Sequence, residues 1–506
     1  MIAMMMSSVV SKLPATLRIT LATGLLMLIM GGEGETSEAK ETLELHQGRR
    51  SETLPSADTH ASTEGVLSLQ DVLALVTANH PKLYSADLER RIAGAKLLEK
   101  QGAFDPGISL ETDYLRYNDF SKRGKVSETI DNDLSLNVLT RSGLKFKTGA
   151  RYNNGQVKPP LYPTGDAGEY FMGVYMPLLR GFRINEKVAA ERQAELGIPS
   201  ADALYQQTRL EVLKQAADAY WRWVMAARKV DVARQVLALA EVRYQAIDAR
   251  VKQGDLPDID AIESQQEVQR RLGGLSKEVR EVEKAALKLS QYLWQPGGKP
   301  SPRPEEAFAP KIFSAPSAFA DEDWMEGRKI AIEKRPELKS LNLQKDITQV
   351  DVSLAKNMRL PVMDLFATPG ADTGGNSVGF TIKTGVVLTI PLRQRTANGM
   401  LAAAQFKLQK LDFEQRLLLQ SVLLEIDDAV SAIRAAYAQY DAALKELAMA
   451  KSLEEGERLR FDFGDSTLFL VNQRERATAE VAMKVWDIQG EYYRALLNFQ
   501  AVTAQL

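Results

Sequence analysis

Acid–base and metal chemistry falls most often to histidine and cysteine, and this chain has three histidines and no cysteine. His46 and His60 lie in a polar, acidic stretch without aromatics, and His80 stands apart from both, so neither a zinc ligand set nor a catalytic triad can be assembled. Without cysteine there is no thiolate site, no disulfide and no N-terminal lipid acceptor. Neither "GGKP" nor "GGNS" continues as a phosphate-binding loop requires. A net charge of -2 leaves no basic excess to meet nucleic-acid phosphates. Trp221 and Trp223 have the spacing of residues that pack against a neighbouring helix. No enzyme is legible here. The segments that stand out are "VKQGDLPDIDAIES" (Val251 to Ser264) and "FDFGDSTLFLVNQR" (Phe461 to Arg474), each a glycine-centred break between helical stretches. Gly254 and Gly464 permit backbone angles that other residues resist. Asp255, Asp258 and Asp260 sit near the start of a returning helix, whose dipole favours acids.

The elements around these breaks are long. Ile426, Val430, Ile433, Tyr437, Tyr440, Leu444 and Leu447 alternate by four and three, the spacing of a coiled-coil seam, and Leu210, Leu213, Ala217, Tyr220 and Val224 do the same. The stretch from Ser200 to Gln253 alone would run ~80 Å at a helical rise of ~1.5 Å per residue. The helix is expected to begin near Asn185 and to kink at Pro199, which has no backbone donor. Such lengths suit a coiled-coil rod or a helical tube.

A different period precedes the long helices. From Leu134 to Tyr152 the even positions are mostly apolar and the odd ones mostly polar, which predicts β-structure with two unlike faces. "RSG" (Arg141 to Gly143) would split this run into a hairpin. The whole order then recurs: Pro81/Pro336, Leu83/Leu338, Pro106/Pro361 and Leu110/Leu365 keep one offset, Pro177 matches Pro391, and Arg250, Gly254 and Asp255 match Arg460, Gly464 and Asp465.

With "NHP" and "KRPEL" opening the two copies, "MPLLRG" and "TIPL" passing from strand to helix, and "RVKQGDLPDIDAI" and "RFDFGDSTLFLVN" at the breaks, residues 65–506 resemble the TolC-type outer-membrane efflux proteins. The resemblance implies a mostly α fold with membrane β: a homotrimeric outer-membrane β-barrel continued by a long periplasmic α-helical barrel, with two internal repeats per chain. It implies a passive export duct of a tripartite efflux or type I secretion system, opened by a periplasmic adaptor (membrane fusion protein) that links to an inner-membrane pump. No cofactor or metal is expected, and nucleic acid is not an expected partner. The alternative is a periplasmic coiled-coil adaptor or structural protein without a pore.

The expected organisation is a signal peptide over residues 1–32 and a disordered acidic tail over 33–64. Repeat 1 would cover 65–294, with membrane strands at about 105–178 and a helical hairpin at about 185–294. A Pro-rich linker over 295–323 leads to repeat 2 over 324–506, with strands at about 360–392 and a hairpin at about 396–506. By the resemblance, Arg250, Gln253, Gly254 and Asp255, with Arg460, Phe463, Gly464 and Asp465, form adaptor-binding hairpin tips. Asp260, Glu263, Leu470 and Gln473 would lie at the periplasmic entrance. Family tips often carry an apolar residue on each side of the glycine. Here Gln253 and Asp255, and Asp465 after Phe463, depart from that pattern. Leu470 and Gln473 stand where some members place acids.

Overall fold

The computed structural model describes residues 65–118, 126–155, 157 and 163–506. The expected signal peptide and acidic tail lie outside the described residues. Helix α1 (Leu69–Asn79) starts at a capping box, in which Ser68 Oγ accepts from Asp71 N and Asp71 Oδ2 accepts from Ser68 N. Pro81 opens α2 (Pro81–Gln101), where its missing N–H costs nothing, and His80 caps it by accepting from Lys82 N at 3.2 Å. Four strands follow: β1 (Gly107–Asn118), β2 (Val126–Leu139), β3 (Lys145–Gly155) and β4 (Gly168–Pro177). Then come α3 (Glu186–Lys252) and α4 (Asp258–Ser290). A small hairpin, β5 (Trp294–Gln295) with β6 (Lys299–Pro300), lies in the Pro-rich segment. The second half brings α5 (Asp321–Lys334), α6 (Pro336–Met358), β7 (Val362–Thr373), β8 (Phe380–Thr389), α7 (Arg395–Asp462) and α8 (Leu468–Val502).

Asn185 caps α3 by accepting from Lys187 N and Val188 N, and the helix continues through Pro199 for 67 residues, ~100 Å at the helical rise. Helices α3 and α4 form one antiparallel hairpin, α7 and α8 another, and α3 packs on α8 to join them. Nearer the strands, α2, α3, α6 and α7 lie side by side in that order. Val72 and Val76 of α1 seal against Leu213, Tyr220, Trp223 and Val224 of α3. On α7, Ile426, Val430 and Ile433 bury against Tyr492 and Phe499 of α8. Trp223 is fully buried and Trp221 stacks on Tyr493 with ring centroids 4.1 Å apart, so both tryptophans pack.

The large strands make one antiparallel sheet in the order β1-β2-β3-β4-β7-β8, six strands from one chain. "RSG" is a turn: Gly143 has φ +83° and Thr140 N donates to Leu144 O at 2.8 Å. Leu134 pairs with Ala150 and Leu136 with Thr148, so even positions stay on one face across the turn. That parity is why the run reads as a single alternation in the sequence.

The faces of this sheet are inverted relative to a soluble protein. The shielded face holds Ser127, Thr129, Asp133 and Ser135, while Ile108, Leu110, Phe380 and Ile382 on the other face are each more than 60% exposed. Arg151 and Lys147 pair with Asp133 on the shielded face, and Arg151 also reaches Glu169 at 3.6 Å. Among the described residues no helix is long and apolar enough to cross a membrane.

Sheet and helices are tied at the turn. Arg141 donates from Nε and Nη2 to Glu191, a buried carboxylate on the first turns of α3. Because Arg141 is half exposed, solvent weakens the pair, so Glu191→Ala should cost about 1–2 kcal/mol. A lowered midpoint of thermal unfolding would register it, and an unchanged midpoint would show that the turn is held by the strands alone.

Candidate functional site at the hairpin tips

Both breaks in the helical pattern are tight reversals of the same kind. In the first, Gly254 has φ +84°, its N–H donates to Val251 O at 2.9 Å, and Asp255 N donates to Arg250 O at 2.9 Å. In the second, Gly464 has φ +83°, with Gly464 N to Phe461 O at 3.0 Å and Asp465 N to Arg460 O at 2.8 Å. The pair of bonds is the Schellman arrangement, which satisfies helix-end carbonyls and places a left-handed residue after the cap. The returning helices begin within a few residues, at Pro257 for α4 and at Thr467 for α8, where Thr467 Oγ1 accepts from Leu470 N. Asp258 and Asp260 fall in the first turn of α4.

The tips are exposed. Gln253, Gly254 and Asp255 face solvent, as do Gly464 and Asp465, and Phe463 is 82% exposed. Ile259, Ile262 and Phe469 add further exposed apolar surface on the first turns of α4 and α8. Arg460 turns back on its own tip, donating from Nη2 to Asp465 O at 3.3 Å. Asp260 and Glu263 are half-buried on α4, and Leu470 and Gln473 are exposed on α8. No side-chain hydrogen bond or ion pair joins these four among the described residues.

About two turns above the tip lies a buried ionic knot that the sequence did not single out. Glu475 of α8 is 2% exposed at its side chain and receives three arginines. Arg243 of α3 donates from Nη1 to Oε2 at 2.8 Å and from Nη2 to Oε1. Arg271 of α4 donates to Oε2 at 2.8 Å, and Arg458 of α7 donates to Oε1 at 2.8 Å. Arg271 also holds Glu267 at 3.0 Å and Val236 O at 2.9 Å, while Arg243 reaches Asn472 Oδ1 at 3.2 Å. All four helices of the two hairpins meet at this carboxylate. Burial alone would push the Glu475 carboxyl up, but the hydrogen bonds and charges of Arg243, Arg458 and Arg271 outweigh it and hold the group at about 2. The signal was present in the pattern. The apolar stripe of α4 at Leu289, Ala286 and Val282 continues into Glu278, Arg271, Glu267 and Ser264, all buried, and a stripe that turns ionic without leaving the seam needs charged partners inside.

Taken as a whole, the chain superposes on solved structures. The Campylobacter jejuni CmeC outer membrane channel superposes with a TM-score of 0.61 at 15% identity, covering 86% of this chain and 85% of that one. The open state of the Neisseria gonorrhoeae MtrE outer membrane channel gives 0.61 at 15% identity over 86% and 88%. The fold is that of these outer membrane channels. The outer membrane protein VceC of Vibrio cholerae, at 12% identity, aligns over 86% of this chain and 96% of its own with a TM-score of 0.61. No family profile matches the sequence, and no curated protein matches it. In the channel fold, the hairpin tips stand at the end of the helices far from the sheet, and the knot around Glu475 lies just inside them.

Proposed function

We propose that this protein is the outer-membrane channel of a tripartite efflux or type I secretion system: a passive duct that a periplasmic adaptor opens at the hairpin tips. The inverted sheet carries this conclusion, because an apolar face left bare beside a shielded polar one suits a barrel wall between lipid and a watery lumen. A coiled-coil adaptor would have no use for such a sheet. Arg250, Gln253, Gly254 and Asp255, with Arg460, Phe463, Gly464 and Asp465, form the adaptor-binding tips, and Asp260, Glu263, Leu470 and Gln473 line the periplasmic entrance. The knot at Glu475 holds the two hairpins together at that entrance.

Unmatched surfaces support assembly into a homotrimer. Within the chain, α3 of the first half packs on α6 of the second. The corresponding joint, α7 against the α2 of another copy, has no partner in one chain. Phe406, Phe413, Leu417 and Leu424 leave an exposed apolar stripe along α7, and Tyr84, Leu88, Ile92 and Leu98 leave one along α2. Among the described residues, edge strands β1 and β8 likewise pair with no strand on their outer sides. A head-to-tail contact that closes makes a ring. Three copies of the six-stranded sheet would give a barrel of roughly 18 strands, within the size range of such walls.

Native mass spectrometry of the protein extracted from separated outer membranes tests this. A trimer is expected, and Phe413→Glu with Leu417→Glu should leave mostly monomer. A water-soluble monomer or dimer in the periplasmic fraction would overturn the channel.

A further inference from the structure

We propose that the strand-to-helix junctions form a belt that binds anionic phospholipid headgroups of the leaflet facing the periplasm. The inference rests on the membrane placement of the sheet. Three segments meet at the junctions. Gly181 N donates to Asn357 Oδ1 at 2.9 Å, Arg180 N donates to Pro361 O at 3.3 Å, and Gln394 Nε2 donates to Arg359 O at 3.1 Å. They therefore form one continuous collar at the end of the sheet where the helices begin.

The collar is strongly cationic in a chain whose net charge is -2. Beside Arg180, residues 178–187, 356–361 and 392–395 carry Arg183, Lys187, Lys356, Arg359, Arg393 and Arg395 against a single acid, Glu186, with Asp364 next along the strand. None of these seven cations has an acidic partner within ion-pair distance among the described residues. Elsewhere in the chain ion pairs are frequent, from the exposed Lys82–Glu211 contact to the buried knot at Glu475. All but Arg180 are exposed. Exposed apolar side chains alternate with them: Leu179, Phe182, Leu360 and Leu392, the last 99% exposed.

Unpaired guanidinium groups beside bare leucines match one surface chemistry above others, a phosphate above an acyl chain. The apolar stems would lie against the chains at the boundary while the cationic heads reach phosphate oxygens. Guanidinium favours phosphate because its fork of donors matches two oxygens at once. A zwitterionic headgroup offers the same phosphate with its charge cancelled, so discrimination should follow net headgroup charge.

The test uses the full-length protein purified from outer membranes in mild detergent. Phosphatidylglycerol and phosphatidylethanolamine with the same acyl chains are titrated separately, and bound lipid is counted by native mass spectrometry. The expected result is preferential retention of phosphatidylglycerol, falling about fivefold for each cation removed in the series Arg183→Gln, Arg393→Gln and Arg395→Gln. Phosphatidylethanolamine binding should stay unchanged, and Arg→Lys at the same positions should restore most of the preference. Equal retention of the two lipids by the wild type, or phosphatidylglycerol binding untouched by the triple substitution, overturns the belt. Displacement of the lipid by millimolar inorganic phosphate would also overturn it, since the site would then hold free anions. A protein absent from the outer membrane fraction would defeat the barrel itself, an outcome separate from all of these.

Discussion

Glu475→Gln is expected to loosen the joint between the two helical hairpins more than any other single substitution near the tips. Glutamine keeps the shape but leaves Arg243, Arg271 and Arg458 converging on a neutral group. Breaking a buried charge pair from one side costs about 3–5 kcal/mol, and the low end applies here, because Arg243 loses its only carboxylate among the described residues while Arg271 keeps Glu267 and Arg458 keeps Glu454. Amide exchange should therefore accelerate by roughly 100-fold or more around residues 236–271 and 458–475 while the strands keep their protection. Under the proposed channel function, the same loosening should raise conductance in planar bilayers, since among the described residues no other buried group joins all four helices at this level. Exchange unchanged in both segments would show that apolar packing alone holds the hairpins.

The same carboxylate makes the joint sensitive to acid. Its value in the fold, about 2, lies below its ordinary 4.5. A group with a depressed value stabilises the fold in full above the ordinary value and loses that contribution as the pH falls from 4.5 towards 2. Wild-type protection in the two segments should decline across this window, and the Glu475→Gln protein should show no such decline there. Parallel curves for the two proteins would assign the acid response to other groups.

Under the proposed function, replacing Gly254 or Gly464 with valine should impair assembly with the adaptor and leave the barrel intact. No heavy atom lies within 4 Å of a Cβ added at either position, so space is not the obstacle. The backbone is: φ values of +84° and +83° force a β-branched side chain against its own carbonyl, at ~1–3 kcal/mol. The reversal would relax by giving up its two cap hydrogen bonds, which frays the tip and moves Phe463 and Asp255. Asparagine tolerates this conformation, so Gly→Asn should keep far more function than Gly→Val. Co-purification of the adaptor and export of cargo read both effects. Wild-type export with both glycines changed to valine would show that tip geometry is irrelevant to assembly.

Much of the architecture was legible because it is local. Helix seams repeat every three or four residues, strand faces every two, and glycine marks the reversals, so Ile426 to Leu447, Leu134 to Tyr152, Gly254 and Gly464 each declare an element within their own neighbourhood. Even the "RSG" turn could be read, since an odd connection preserves the alternation on either side of it. Tertiary structure decided what no window of sequence contains. Alternation gives two faces but does not say which is shielded, and only the six-stranded sheet shows that the polar one is. Arg243 and Glu475 are 232 positions apart, and each reads alone as an ordinary solvated charge. Packing four helices together brings them into contact and removes the water, and a charge without water is held only by the partners that the fold supplies.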